Sequence, residues 1–339
     1  MEKQFKPRLD ALDGLRGILA ITVMVSHLVG SIIGWTDDRP FIGAYLSVIY
    51  FFMMSGFVLS YAHNKNENFV SYFLTRLARL LPLHIISTIG IITIFYYNSL
   101  HGGYFPNEDV FKISIIIKNL AFLNGVYPND FYIINAPSWS ISIEFWCSLL
   151  IPLVYNRINL FLKFILFVVI FVSMIYLYPN GFQKSMLIAS LSMLVGSICF
   201  ELSQKKYILK HLTEKNFLAF MFFALLSCFL GIYVENHTKA DFLYFLLFIP
   251  LLFIDFTPDE FFLRRLLASK VFTFLGFISF PLYLLHELVI VSGIVFRNSP
   301  IVSMFIGGVV SICLAYIYAR YFDVFIYKFF KNYIRKKFL

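Results

Sequence analysis

Apolar runs of about the length that crosses a bilayer follow one another along this chain, with mostly short polar breaks between them. Ten spans are expected, over residues 11–33, 43–62, 80–98, 138–155, 160–178, 184–203, 217–234, 240–255, 272–296 and 300–322, the eighth being the shortest. Nothing between them is long and polar enough to be a separate soluble domain. The pattern therefore predicts one all-α polytopic membrane domain over residues 1–339. The first run superficially resembles a signal peptide. Arg16 interrupts it, however, and no small-residue cleavage pattern follows, so the segment is expected to be retained.

The polar residues that interrupt these runs carry the chemical information, because ionisable groups at bilayer depth are costly and by default mark chemistry or transport. Arg16 and His27 stand eleven residues apart in the first span. At about 100° per residue this is close to three full turns, so both share one helix face, roughly 16 Å apart. Asp13 joins the same stripe. Glu144 lies about six residues inside the fourth span, the same depth of roughly 9 Å as His27, which suggests a base–carboxylate pair. His286 and Glu287 follow a Ser279-Phe280-Pro281 break and lie nearer the middle of the ninth span. Taken alone, His27 also reads as a core histidine bonded to a carbonyl, and Glu144 as a purely structural partner.

Charge placement then fixes an expected topology. Only 14% of residues are charged, with a formal net charge of +9. With the N-terminus cytoplasmic, nineteen Lys and Arg fall in inner segments and six in outer ones, a positive-inside bias that puts both termini in the cytoplasm. The basic excess thus reads as topology and contact with anionic membrane lipids, and nucleic acid is not an expected partner. Cys147, Cys199, Cys228 and Cys313 all fall in spans, without disulfide or metal spacing, and no metal site is expected.

Other features refine the candidate site. Arg76 and Arg79, three apart just before the third span, read either as lipid anchors or as a fork for a soluble phosphorylated cofactor. Arg16 extends that cluster inward. Ser55-Gly56 allows close helix approach, and Ser138, Ser140 and Ser142 offer hydroxyls for caps or carbonyls. The long outer stretch 99–137 includes His101-Gly102-Gly103 and Pro128-Asn129-Asp130, and its residues 112–124 suit an interfacial or re-entrant helix. There is no internal repeat, phosphate-binding Gly-rich loop, HExxH or GxSxG.

In order, LDGLRG with His27, FFMMSGFVLS, RLARLLPLH, SWSISIEFW and FISFPLYLLHELV make the chain resemble the acyltransferase family 3 proteins from about residue 8 to 325. These are integral membrane acyltransferases that act mainly on cell-surface glycans. The resemblance implies a bacterial inner-membrane enzyme with cytoplasmic acetyl-CoA as donor and a sugar hydroxyl as acceptor, on a surface polysaccharide or its lipid-linked precursor. By motif, Arg16 and His27 match the family's Arg–His pair, and Arg76 and Arg79 match its Arg-x-x-Arg, associated with the donor. Glu144 matches the acidic residue of a Trp-Ser segment in which Trp139 and Ser140 also fall, and His286 matches a late histidine, here followed by Glu287 where proline is more usual. An additional esterase-like domain, which some members carry, is not expected here.

The resulting expectation places His27 as general base, Glu144 orienting it, and Trp139, Ser140 or nearby hydroxyls as oxyanion donors, with His286 in support. Coenzyme A would be held by Arg16, Arg76 and Arg79. Direct transfer is favoured over an acyl-histidine intermediate because the acyl group then passes only once. The competing classes are a glycan-lipid or small-molecule transporter using Arg16, His27 and Glu144 as a relay, and a glycan polymerase. A transporter would not consume acetyl-CoA, and a polymerase would need no phosphate-binding arginines.

Overall fold

The computed structural model describes residues 7–63, 68–126, 133–176, 181–205, 211–212, 215–234, 241–294 and 299–338. Pro128-Asn129-Asp130 and the topology-setting residues Lys3, Lys6, Lys65, Lys206, Lys210, Lys239 and Arg297 lie outside them. Among the described residues every regular element is helical. That is the outcome expected of an apolar chain, because a helix satisfies its own backbone where no water can.

Thirteen α-helices are seen among these residues: α1 (Asp10–Ile33), α2 (Tyr45–Ala62), α3 (Phe69–His101), α4 (Ile113–Leu120), α5 (Ser138–Ser148), α6 (Leu160–Tyr176), α7 (Gly181–Ser203), α8 (Lys215–Val234), α9 (Asp241–Leu247), α10 (Phe262–Leu267), α11 (Lys270–Val291), α12 (Pro300–Ile317) and α13 (Val324–Phe338). Among the described residues, eight helical stretches are long and apolar enough to cross a membrane. The other two expected spans, 160–178 and 240–255, coincide with shorter apolar helices, Leu160–Met174 and Tyr244–Phe256. The chain is thus a multi-pass, all-α membrane protein.

Two differences from the expected spans bear on the site. The third span does not begin at 80. Its helix starts at Phe69, capped by the Asn68 side chain, so Arg76 and Arg79 lie two to three turns inside it. The Ser279-Phe280-Pro281 segment is not a break either, since α11 runs continuously through Pro281. Neighbouring helices and side chains let a membrane helix tolerate an internal proline.

The bundle is organised around two close helix crossings. Helix α1 packs along α11, and α2 along α7. A Cβ on Gly17 would sit 2.5 Å from the backbone nitrogen of Gly276, and a Cβ on Gly56 would sit 2.5 Å from Met193 Cα. Only glycine permits these approaches, and through the first of them α1 presents Arg16 and His27 beside α11. The start of α1 is fixed from elsewhere in the chain. Asp255 accepts from the amides of Ala11 (3.0 Å) and Leu12 (2.9 Å), satisfying donors that the helix cannot pair internally.

The predicted helix within 112–124 is present as α4, which packs against α3. Three buried asparagines knit this region to α3, α5 and α11. Asn119 O accepts from His84 Nε2 at 2.7 Å, Asn124 Nδ2 donates to Ser138 Oγ at 2.5 Å, and Asn135 Nδ2 donates to Ser87 Oγ at 3.0 Å. The four cysteines are free, three of them buried and Cys313 exposed.

Candidate active site

The polar residues of the bundle form two neighbouring groups, one toward the Arg16 end of α1 and one toward its His27 end. The first surrounds a cavity of about 310 Å³. Arg16 from α1, Arg76 and Arg79 from α3, Ser55 from α2, and Ser140 and Glu144 from α5 all line it. The expected arginine cluster therefore exists, three guanidinium groups against one carboxylate on one wall-to-wall space. Each arginine has an acidic partner. Arg16 Nη1 meets Asp13 at 3.4 Å, Arg76 Nη2 meets Glu144 Oε1 at 2.9 Å, and Arg79 is bonded to Asp323. Arg76 Nε also donates to Ser148 Oγ at 3.2 Å, while the Arg79 guanidinium lies over the rings of Phe280 (5.3 Å) and Tyr327 (5.8 Å). Such held, planar guanidinium groups suit a phosphorylated polyanion.

The second group contradicts one expected pairing. Glu144 does not reach His27. Its Oε1 is taken by Arg76 and by the hydroxyl of Ser55 at 3.0 Å. His27 instead meets α11, with Nδ1 3.0 Å from His286 Nε2 and 3.8 Å from Glu287 Oε2. The physical reason is that Arg76, two turns inside α3 instead of at its mouth, is near enough to claim Glu144. Depth along a helix also says nothing of the direction in which a side chain points. The carboxylate beside His27 is Glu287, which the sequence placed with His286 in the ninth span but did not pair with His27.

With both imidazoles neutral, this network sets the tautomers. His286 Nδ1 lies 2.9 Å from the carbonyl of Leu282, which can only accept, so Nδ1 carries the hydrogen. Neutral His286 then presents a bare Nε2, which accepts the Nδ1–H of His27. The lone pair of His27 is left on its Nε2, which has no bonding partner among the described residues. His286 is fully buried and the His27 side chain is 24% exposed. The buried His286 ring thus holds Nδ1 of the partly exposed His27, whose Nε2 is left unbonded among the described residues.

His27 does not line the cavity itself. The two groups meet at Tyr283, which lines the cavity, shares a 2.7 Å hydrogen bond with the Ser140 hydroxyl and stands with its ring 6.4 Å from that of His286. Ser140 therefore belongs to the cavity and not to the surroundings of His27. Trp139 is half-buried against a core to which α2, α3, α5 and α7 contribute, and it is not among the cavity-lining residues. Ser138 and Ser142 are consumed locally by Asn135 O and Phe122 O. As to metal, ligand atoms of His27, His286 and Glu287 lie within 4.8 Å of one another, a donor set chemically able to take a divalent cation, although two of these atoms already bond each other.

Comparison with known proteins adds the family. A family model described as an acyltransferase domain, of the acyltransferase 3 type, matches residues 9–320. The chain belongs to the acyltransferase 3 family. It is similar to the acyltransferase MdmB of Streptomyces mycarofaciens, 28% identical over 45% of this chain and 40% of that protein. A protein of Acidianus two-tailed virus with a provisional acetyltransferase name is 26% identical over 85% of this chain and 84% of its own length. The O-acetyl transferase of Shigella phage Sf6 is 25% identical over 49% of this chain and 51% of its own. The match thus spans less than half the length of MdmB and about half that of the phage protein. No solved structure matches.

Several polar residues of the bundle escaped the sequence reading. Asp323 holds Arg79, and Asp255 holds the start of α1. Lys163 is buried and paired with Glu201 at 2.9 Å and with Ser197 at 3.0 Å. A search for opposite charges at matching depth would have found Lys163 with Glu201, which fall near corresponding ends of adjacent predicted spans.

Proposed function

We propose that this family member is a membrane O-acyltransferase that moves an acetyl group from cytoplasmic acetyl-CoA to a hydroxyl of a surface glycan or its lipid-linked precursor, in a bacterial inner membrane. The observation that carries the reading is the adjacency of an arginine-lined cavity to a histidine whose basic nitrogen is left free by its own hydrogen bonds. The whole chain acts as one domain, with the Arg16 end of α1 facing the cytoplasm. The phosphates of the donor lie against Arg16, Arg76 and Arg79, and the pantetheine arm runs past Tyr283 toward His27.

His27 Nε2 removes the proton of the acceptor hydroxyl as that oxygen attacks the thioester carbonyl. A C–O bond forms and the C–S bond breaks. The imidazolium of His27, held through Nδ1 by His286 and faced by Glu287, then returns its proton to the departing thiolate. Glu287 takes the stabilising role first expected of Glu144, which instead holds Arg76 in place for the donor. The test is transfer of labelled acetyl from acetyl-CoA to the glycolipid fraction by purified protein in vesicles. Label in an alkali-labile ester and stoichiometric thiol release support the reading. Transport of the glycolipid without thiol release would replace it by the transporter.

A further inference from the structure

Beyond the His27 end of α1 the chain builds a small surface that none of these roles uses. Helix α1 ends at Gly34, whose φ of 106° turns the chain back, and Trp35 then lies down on the helix it has just left. A Cβ on Gly30 would come within 2.8–2.9 Å of three ring atoms of Trp35, so the indole plane is bedded on that glycine. The Arg39 guanidinium stands over the same ring, 4.6 Å from its centroid. Ser26 ties this loop down twice, donating to Phe41 O at 3.0 Å and accepting from Arg39 Nη1 at 3.2 Å, and Phe41 holds a left-handed φ of 61°. The indole is nevertheless 60% exposed, and its edge meets the ring of His27 at 5.7 Å and 70°.

We propose that Trp35 and Arg39 form the acceptor subsite, binding a pyranose ring beside His27 so that one of its hydroxyls faces Nε2. This rests on the acyltransfer reading above. The chemistry favours a sugar. An exposed indole offers its surface to the C–H face of a pyranose, while the guanidinium supplies fixed donors to hydroxyl or acidic substituents. The neighbouring Thr36, Asp37 and Asp38 are exposed and add acceptors around the rim. A tryptophan used only as a membrane-interface anchor needs neither a glycine bed, a pinned loop nor contact with the proposed base.

The test uses full-length protein in nanodiscs and reads binding apart from turnover. Methyl β-glucoside, methyl N-acetyl-β-glucosaminide and methyl β-glucuronide are titrated while tryptophan emission is followed, in the parent and in Trp35→Phe. A saturable change for at least one glycoside, absent from Trp35→Phe, is expected, and Arg39→Ala should weaken it. In the transfer assay Trp35→Ala should raise the acceptor KM about three- to tenfold, the range of an aromatic contact. Trp35→Phe should recover most of it, and donor KM should stay within twofold. The same sugars carried on an isoprenoid phosphate distinguish a lipid-linked acceptor from a free glycan by which of the two saturates. Trp35 emission quenched by bromo-acyl lipids but indifferent to every glycoside would overturn the proposal. So would an unchanged acceptor KM in Trp35→Ala, while acetyl transfer by the parent still stands. Absence of thiol release from acetyl-CoA by the parent would instead defeat the transferase reading, and glycoside binding would be judged on emission alone.

Discussion

Replacing Glu287 by glutamine removes one negative charge 3.8 Å from His27 Nδ1 and changes little else in shape. That charge matters only when His27 is protonated, which in the proposed reaction happens at the transition state. At an effective dielectric constant of about 20, unit charges at that distance attract by about 4 kcal/mol. The side chains are 24% and 16% exposed, so screening by water reduces this to roughly 2–3 kcal/mol. At 1.36 kcal/mol per decade, kcat should fall roughly 30- to 150-fold. Because the lost interaction is absent from the ground state, kcat and kcat/KM should fall together, with donor KM unchanged. The assay is acetyl transfer at saturating acetyl-CoA, run beside a thermal melt in detergent to show that the variant is folded. Glu144→Gln is the matched comparison: it should shift donor KM through Arg76 while leaving kcat less affected. A Glu287→Gln enzyme within threefold of the parent, or a full loss of kcat in Glu144→Gln at unchanged donor KM, would refute the assignment of Glu287 as the charge partner of His27.

His27→Ala should lower the transfer rate by about 10²–10⁴-fold without loss of membrane insertion, measured as label incorporation per folded protein. Arg79→Ala should raise the KM for acetyl-CoA about 10- to 100-fold, as loss of a charged hydrogen bond does, and Arg79→Lys should recover only part of it. An unchanged donor KM with reduced abundance would make Arg79 a structural partner of Asp323 alone. Incubation with EDTA should leave transfer unchanged, because His27 Nδ1 and His286 Nε2 already bond each other at 3.0 Å; recovery of a lost rate by added zinc would assign the triad to a metal.

The spans were legible because a bilayer imposes length and apolarity on each segment independently of its neighbours, and the shared face of Arg16 and His27 followed from helical periodicity alone. The partner of His27 was not. Counting residues from a span end gives depth, and His27 and Glu144 do share a comparable depth by that count, but pairing also needs the rotation of each helix and its neighbours in the bundle. Those are set by contacts such as Gly17 with Gly276, which place α11 and not α5 against α1. The starting point of α3 was hidden for a related reason. Residues 69–79 are amphipathic and carry two arginines, so hydropathy ended the span at 80 although the helix did not. Arginines that appear to lie at a membrane surface then turn out to line an internal cavity.

That internal placement explains why each arginine of the cavity is given an acidic partner. Three unpaired guanidinium groups facing one another in a space partly removed from water would repel, and each would lose hydration without return. Asp13, Glu144 and Asp323 remove that cost while fixing the side chains, so the proposed donor, with its several phosphate charges, would meet guanidinium groups already ordered. The three pairs are unequal. Arg76 is held at 2.9 Å by Glu144 and again by Ser148, and Arg79 by Asp323 with aromatic rings on its face, whereas Arg16 meets Asp13, on its own helix, at 3.4 Å. Arg16 is therefore the member with most bonding capacity left for a ligand, and it shares a helix face with the proposed base, His27. A rigid helix carries both, so in the proposed reaction the distance from donor charge to His27 Nε2 would be set by the rise of α1 itself and not by any loop.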